Sequence, residues 1–175
     1  MTMKYHENII AFLAQRGTGK TTLAAYLSQD VNWQIISEDM LIVNYNTLDL
    51  YASARKLLLR ENALEILCKY GFSLEYEYNK IMNRYLLKEC SEGSSGNNIM
   101  QKLTHIAFLE RSLKKTPAIT TIHEDSVGDI LVNTLCPYQI KNNLTGAHEL
   151  NKKCSKFHIQ YEDMSLLKST LQNFL

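Results

Sequence analysis

The stretch Asn8–Thr22, with the sequence NIIAFLAQRGTGKTT, decides the predicted fold. Residues 9–13 form a short apolar run of the kind that fills the centre of a parallel sheet. Gly17 and Gly19 allow the backbone to turn tightly and to come close to a ligand. From Lys20 onward, apolar side chains recur at a helical spacing. The stretch therefore predicts a buried strand, a glycine-rich turn and the start of a helix.

The same turn has the properties of a phosphate-binding site. The amides of a glycine-rich turn and the positive end of the following helix would surround an anion. Lys20 would reach the outer phosphates of a nucleotide, and the Thr21 hydroxyl would hold Mg²⁺. We therefore predict a nucleotide-binding loop formed by six consecutive residues: Gly17, Thr18, Gly19, Lys20, Thr21 and Thr22.

Residues 14–21, AQRGTGKT, resemble the Walker A P-loop pattern G-x-x-x-x-G-K-[ST]. Ala14 replaces the first glycine of the pattern, which affects the expected turn geometry but not the chemistry of Lys20 and Thr21. The alternative is a chance Gly-Lys-Thr sequence in an ordinary loop. The apolar strand before the turn and the apolar helix face after it favour the P-loop.

The composition predicts a single domain and limits its partners. The chain has 175 residues, which suits one domain with a sizeable core, and 19 basic residues nearly balance 18 acidic ones. This balance gives no electrostatic reason to expect nucleic acid or a membrane surface as a partner. The apolar run at residues 9–13 is too short for a signal peptide or a membrane span. We therefore expect a cytoplasmic protein, or one inside the host cell if its source is viral.

The four cysteines do not predict a metal site. None of them lies in a C-x-x-C pair, so a zinc ribbon is not expected. Cys154 and His158 have the spacing of two metal ligands and His148 lies nearby, but a second ligand pair is missing. Reduced thiols and scattered imidazoles around a strand are the simpler interpretation.

The rest of the pattern predicts further strands and helices. Strands are expected at 31–37, 118–123, 137–141 and 156–160, and helices at about 20–28, 46–67, 73–88, 99–109, 127–135, 147–153 and 164–174. The two helices at 46–67 and 73–88 indicate a helical insertion, which is placed at about 46–116, and residues 142–153 would form a lid-like region. Both would belong to one domain covering residues 1–175.

Acidic residues follow two of the predicted strands. Glu38 and Asp39 come after the second strand, and Asp125 comes after the third. Ligands of α/β sheets bind at the carboxyl ends of the strands. Asp39 or Glu38 would then face an acceptor substrate or a metal-bound water, and Asp125 would orient Mg²⁺ or the acceptor. A solvated turn at Asp39 and a helix cap at Asp125 are the open alternatives.

The order of elements resembles that of the P-loop nucleoside monophosphate kinases, and among them the deoxynucleoside monophosphate kinases of bacteriophages and viruses. Besides the P-loop, the similarity lies in residues 100–105 (MQKLTH), 121–126 (TIHEDS), 147–150 and 157–167. The resemblance implies a three-layer αβα fold around a five-stranded parallel sheet of strand order 2-3-1-4-5. It also implies ATP and Mg²⁺ as cofactors, with the nucleoside triphosphate as phosphoryl donor.

The chain has fewer arginines than such kinases use to bind and neutralise phosphates. Ser126 stands where an arginine would follow the acidic residue of the third strand, and the lid-like region has lysines, which lack the bidentate fork of arginine. Taken alone, a basic residue is more often a solvated surface charge than a ligand. The candidate phosphate clamps are Arg16, Arg111, Lys152 and Lys153, with Arg84 as a candidate contact to the acceptor.

Two classes of function follow from these patterns. The first is ATP-dependent phosphoryl transfer to a small acceptor, in which a (deoxy)nucleoside monophosphate is favoured and Lys20, Arg16, Asp39 and Asp125 are catalytic. A kinase for a non-nucleotide or polynucleotide hydroxyl, with Asp39 as general base, is the related alternative. The second class is a degenerate nucleotide-binding protein with a structural or regulatory role, which Ala14 and the arginine-poor lid favour. A homodimer is compatible with either class.

Overall fold

The computed structural model describes residues 1–38, 41–51, 57–73, 75–87, 101–113, 116–122 and 140–175, and only the backbone of residues 140–145. The strands are β1 (Thr2–Tyr5), β2 (Asn8–Leu13), β3 (Trp33–Ser37), β4 (Leu58–Leu59), β5 (Tyr76–Asn79), β6 (Arg84–Leu87), β7 (His105–Arg111), β8 (Ala118–Thr121) and β9 (Ser155–Tyr161). The helices are α1 (Lys20–Leu27), α2 (Glu61–Lys69), α3 (Ile140–Lys153) and α4 (Met164–Phe174).

The main sheet is mixed and has six strands in the order β3-β1-β2-β7-β9-β8. β2 pairs in parallel with β7, and β7 pairs in parallel with β9. β1 is antiparallel to both of its neighbours, and β8 is antiparallel to β9. The predicted five-stranded parallel sheet of order 2-3-1-4-5 is therefore wrong.

The first cause of this difference is the N-terminal strand. Residues 2–5 turn back through a tight turn at His6 and Glu7 and pair with β2. They take the place between β2 and β3 that the predicted order gave to the strand at 118–123, which instead lies at the far edge of the sheet as β8. The turn has no glycine, although His6 has a positive φ of 50°. A hairpin turn without Asn-Gly, Asp-Gly or Gly-Gly lacks the usual sequence signal.

The second cause is the short connection between β7 and β8. Only residues 112–117 separate these strands. Two parallel strands need a crossover connection of about a dozen residues or more. Because this connection is much shorter, the chain returns in the opposite direction. β8 consequently forms the antiparallel edge of the sheet beside β9.

Both faces of the main sheet are covered. Along β2, Ile10 and Phe12 face a core that includes residues of α1, α2 and α4. Ile9 and Ala11 face a second core that includes residues of α3. Burial on both faces explains the continuous apolar run of β2, since a strand with one solvated face would alternate apolar and polar residues.

A second, three-stranded sheet has the order β4-β6-β5 and replaces the helix predicted at 73–88. Tyr76 and Tyr78 of β5 each lie 5.1 Å, between ring centroids, from Tyr85 of β6. Cross-strand aromatic pairs of this kind stabilise a hairpin. The tyrosines also fit a helical spacing, which is why this stretch resembles a helix in the sequence although it forms strands.

Other parts of the predicted helical insertion at about 46–116 are also wrong. Asn46 lies in a loop, in which Val43 forms an isolated bridge to Leu50, and does not begin a helix. α2 is the part of the first predicted helix that forms, and Gly71 follows its end with a φ of 84°, which favours glycine after a helix. The helix predicted at 99–109 is wrong because β7 begins within it. A short apolar run that is buried on both faces cannot be distinguished from a buried helix by periodicity.

The C-terminal part of the prediction is mixed. The strand predicted at 137–141 is wrong where it is described, since α3 begins at Ile140. α3 also covers the predicted lid-like region, 142–153. The strands predicted at 31–37, 118–123 and 156–160 and the helices predicted at 20–28 and 164–174 are confirmed in their described parts, with small shifts of their ends. None of the helices in the described ranges is both long and apolar enough to span a membrane.

Candidate functional site

The predicted strand, turn and helix are present around the glycine-rich loop. β2 ends at Leu13, and α1 begins at Lys20. Gly17 and Gly19 have φ values of 91° and 95°, a backbone region that other residues rarely adopt. Gly19 also caps α1, and its carbonyl accepts from Leu23 N at 2.9 Å. Both glycines are therefore required by the path of the backbone.

The replacement of the first Walker A glycine by Ala14 is compatible with this path. Ala14 keeps a negative φ, so its position does not need the conformational freedom of glycine. Its carbonyl accepts a 2.7 Å hydrogen bond from Lys20 Nζ. The departure from the Walker A pattern thus does not prevent the turn from forming.

The Lys20 side chain folds back over the loop. Its Nζ donates to the carbonyl oxygens of Ala14 at 2.7 Å and Gln15 at 3.1 Å. The Gln15 carbonyl also accepts from the Thr18 hydroxyl at 2.8 Å and from its amide at 3.3 Å. The ammonium group is therefore placed inside the turn, where a phosphate oxygen would compete with these two carbonyls for its protons.

Two side chains from neighbouring strands contact the outside of the loop. Arg111 is the last residue of β7, Tyr161 is the last residue of β9, and the two are paired in the parallel register. Arg111 Nε donates to the Thr18 carbonyl at 3.3 Å, and Arg111 Nη1 donates to the Glu162 carbonyl at 2.6 Å. The Tyr161 hydroxyl donates to the same Thr18 carbonyl at 3.4 Å.

Arg111 and Tyr161 also contact one another. The guanidinium carbon of Arg111 lies 4.7 Å from the centroid of the Tyr161 ring, which is a cation–π geometry. The Tyr161 side chain is fully buried, and this burial raises its pKa, although the nearby Arg111 charge opposes the effect. The phenol therefore stays protonated at neutral pH and remains a hydrogen-bond donor.

Of the arginines predicted to contact phosphates or the acceptor, two lie at the glycine-rich loop and one lies on a hairpin. Arg111 contacts the loop, and Arg16 is an exposed residue within it. Arg84 lies on the β5–β6 hairpin, where its Nη1 donates to the carbonyl of Asn83 at 2.8 Å. The guanidinium of Arg84 thus binds the backbone of its own hairpin.

The two candidate lysines of α3 differ in their contacts. Lys153 Nζ forms an ion pair with Glu149 at 2.9 Å and donates to the carbonyls of Tyr45 at 3.3 Å and Asn46 at 3.0 Å. It therefore attaches α3 to the loop before Leu48 and is not held at the glycine-rich loop. Lys152 is exposed on the same helix.

Asp39 and Asp125 lie outside the described residues, so their predicted roles stay predictions. Glu38, beside Asp39, is only 7% exposed at the carboxyl end of β3. Ser37 pairs with Thr2 of β1, and β1 in turn pairs with β2. β3 runs in the same direction as β2, so Glu38 lies at the edge of the sheet where the glycine-rich loop lies.

Thr21 is the described residue for which a role as a magnesium ligand was predicted. Thr21 is half-buried and directly follows Lys20. No group of three or more His, Cys, Asp or Glu side chains suited to a metal ion occurs in the described ranges. Mg²⁺ is commonly bound through substrate phosphates, waters and one or two protein oxygens, which does not require such a group.

Tyr161 is the residue of this site that the sequence analysis did not assign. Its role depends on the register between β7 and β9, which places it beside Arg111 and the Thr18 carbonyl. Its position directly after the final predicted strand, 156–160, was the available signal.

The chain matches no protein-family model, and searches of curated proteins and of solved structures found no significant match. The site is therefore interpreted from its own geometry and chemistry.

Proposed function

We propose that the chain binds a nucleoside triphosphate at the P-loop and transfers its terminal phosphoryl group to a small acceptor. The main support is the loop between β2 and α1, in which two glycines with positive φ precede Lys20. The start of α1 supplies amides that have no acceptor inside the helix. Together with the helix dipole, these groups suit an anion.

The charged side chains at the loop suit this chemistry. Arg16, Lys20 and Arg111 are all cationic, and each lies in the loop or contacts it. Phosphoryl transfer requires positioning and charge neutralisation more than covalent chemistry from the protein. Lys20 would exchange its bonds to the Ala14 and Gln15 carbonyls for bonds to phosphate oxygens. Arg16 would add positive charge at the mouth of the loop.

Mg²⁺ would be held at the Thr21 hydroxyl, with Asp125 as a further proposed ligand. When bound, the ion would neutralise negative charge on the phosphate oxygens. Thr21 would orient the ion relative to the loop because its backbone belongs to the first turn of α1.

We favour a (deoxy)nucleoside monophosphate as the acceptor. Such an acceptor is already ionised and needs no general base, whereas a hydroxyl acceptor would need one, with Asp39 as the candidate. A site with cationic groups suits an anionic acceptor. This proposal rests on the local site and does not require the parallel sheet that the structure excludes.

A nucleotide-binding protein without transfer activity is the second candidate. The two carbonyl bonds of Lys20 favour it, because they hold the ammonium group inside the loop. Binding would have to replace both bonds, and a site retained only for binding would not need to release the ammonium toward a transferred phosphate.

A thermal-shift titration with ATP–Mg²⁺ tests the proposal. Binding at 100 times the Kd stabilises a protein by about 2.7 kcal/mol, which for a chain of this size raises the Tm by about 5–10 °C. Lys20→Ala should abolish most of this shift. Lys80→Ala is the matched control, because Lys80 is exposed in the turn between β5 and β6. A screen for phosphoryl transfer to nucleoside monophosphates and to hydroxyl acceptors follows.

The outcomes separate the candidates. Transfer to one monophosphate, lost in Lys20→Ala, supports the kinase. A Lys20-dependent shift without transfer to any acceptor supports the binding protein. No shift with millimolar ATP in the wild type, or an equal shift in Lys20→Ala, contradicts nucleotide binding at this loop.

A further inference from the structure

The Thr18 carbonyl is held by two donors from outside the loop. Arg111 Nε lies 3.3 Å from this oxygen, and the Tyr161 hydroxyl lies 3.4 Å from it. The donors belong to the ends of two adjacent parallel strands, β7 and β9. The peptide between Thr18 and Gly19 is therefore attached to the sheet and not only to its own turn.

We propose that Arg111 and Tyr161 are positioning residues that orient the Thr18–Gly19 peptide for phosphate binding. This inference rests on the proposed function of the loop. The peptide is trans, so its carbonyl and its N–H point in opposite directions. When the carbonyl is fixed toward the ends of β7 and β9, the Gly19 N–H is fixed away from them. The ligand would thus meet a preoriented amide.

Arg111 is suited to this task because it is itself held at several points. Its Nη1 donates to the Glu162 carbonyl at 2.6 Å, and its guanidinium packs on the Tyr161 ring. The Tyr161 side chain is fully buried, so the ring provides a fixed support. The planar fork of a guanidinium can bind two carbonyls at once, which the ammonium of lysine cannot reproduce in the same geometry.

Gly19 lies beside both donors of the Thr18 carbonyl. A Cβ built on this residue would lie 3.4 Å from Arg111 Nη2 and 3.9 Å from the Tyr161 hydroxyl oxygen. At Gly17, by contrast, a Cβ would meet nothing within 4 Å. Both glycines therefore need their positive φ, and a Cβ at Gly19 would in addition be in ordinary van der Waals contact with Arg111 and Tyr161.

The test compares the binding of ATP–Mg²⁺ and ADP–Mg²⁺ by calorimetry. The variants are Tyr161→Phe, Arg111→Lys and Arg111→Met, and the matched control is Lys80→Met, which removes an exposed cation from the turn between β5 and β6. Loss of one hydrogen bond should weaken binding about 2- to 10-fold in Tyr161→Phe. Loss of the charge-assisted bonds in Arg111→Met should weaken it about 10- to 100-fold, with Arg111→Lys in between.

The ratio of the two nucleotide affinities distinguishes positioning from direct contact. A misoriented Gly19 amide should weaken ATP and ADP by the same factor in every variant. Tyr161→Phe and Arg111→Met should also be non-additive in the double variant, because both donors share one acceptor. Circular dichroism melting establishes the folded fraction of each variant, and Tyr161→Phe, which removes a single oxygen, keeps the test valid if Arg111→Met does not fold.

Several results would overturn the inference. Unchanged affinity in Tyr161→Phe and Arg111→Met, while Lys20→Ala loses binding, would remove the positioning role and leave the P-loop function intact. A much larger loss for ATP than for ADP in Arg111→Met, with no effect in Tyr161→Phe, would make Arg111 a direct ligand of the terminal phosphate. Failure of the wild type to bind either nucleotide would overturn the proposed function itself.

Discussion

Asp163 shows how a single carboxylate connects separate elements around the site. It is the N-cap of α4, and its Oδ1 accepts from the amides of Ser165 at 2.7 Å and Leu166 at 3.0 Å. Its Oδ2 accepts from the Tyr70 hydroxyl at 3.1 Å, and the amide of Met164 in turn donates to that hydroxyl at 3.2 Å. The end of α2 is thereby attached to the start of α4.

We predict that Asp163→Ala lowers the free energy of unfolding by about 0.5–2 kcal/mol at pH 7, the usual cost of losing an N-cap. The hydrogen bond from the Ser165 side chain, with those from backbone amides and Tyr70, lowers the pKa of Asp163, and burial opposes this. A lowered folded pKa means that this stability is present above the ordinary Asp value of 3.8 and is lost as pH falls through the folded pKa.

Urea unfolding at pH 7 and at several values below pH 4 measures this effect. The difference between wild type and Asp163→Ala should shrink on acidification. Asp163→Asn is the control, because asparagine also caps helices but does not titrate. A difference that stays constant down to full protonation would contradict the assigned role of the charge.

At the scale of elements, α4 was predicted with its observed bounds because local signals agree. Asp163 provides the cap, and the apolar residues Met164, Leu167 and Leu171 recur at a helical spacing. β7 was missed because a run buried on both faces has no alternation that identifies it as a strand. The β5–β6 hairpin was missed because its tyrosines interact across strands, a contact that local spacing does not reveal.

In the candidate site, too, the parts set by local sequence could be predicted and the parts set by distant contacts could not. The loop around Lys20 could be predicted because its glycines, its lysine and its flanking apolar segments are contiguous. Arg111 could be named only as one of several candidate clamps, and Tyr161 received no role. Their meeting at the Thr18 carbonyl depends on the register of β7 with β9, and that register is fixed by packing over the whole sheet.

We predict that adjacent leucines of α4 differ strongly in their effect on stability. Leu167 is fully buried in the core against the sheet, whereas Leu166 is 48% exposed. Leu167→Ala should lower the free energy of unfolding by about 2–5 kcal/mol, because it removes buried methyl groups and leaves a cavity. Leu166→Ala should change it by no more than about 0.5 kcal/mol. Denaturant titration of both variants measures the difference, and equal losses would contradict the orientation of α4.

At the scale of the whole molecule, β1 determines how the sheet is assembled. It lies between β2 and β3 and is antiparallel to both, so β3 runs in the same direction as β2, β7 and β9. The carboxyl ends of these four strands consequently share the edge at which the glycine-rich loop begins. Binding edges of this type occur where parallel strands end. The mixed sheet therefore retains such an edge even though the predicted all-parallel order is wrong.

A cysteine pair across β1 and β3 tests this arrangement directly. Lys4 is the register partner of Gln34, and opposite residues of antiparallel strands have Cα atoms about 4.5–5.5 Å apart. This separation allows a disulfide. We therefore predict that Lys4→Cys combined with Gln34→Cys forms a cross-link under mild oxidation and raises the free energy of unfolding by about 2–4 kcal/mol.

Lys4→Cys combined with Ile35→Cys is the matched control for that pair. Ile35 is one residue further along β3, and its side chain points to the opposite face of the sheet from Gln34. This control should form little cross-link. Peptide mapping by mass spectrometry identifies the joined residues and separates the designed pair from bonds to exposed Cys68. Equal yields for the two pairs, or no cross-link in either, would contradict the position of β1 and with it the shared edge of β2 and β3.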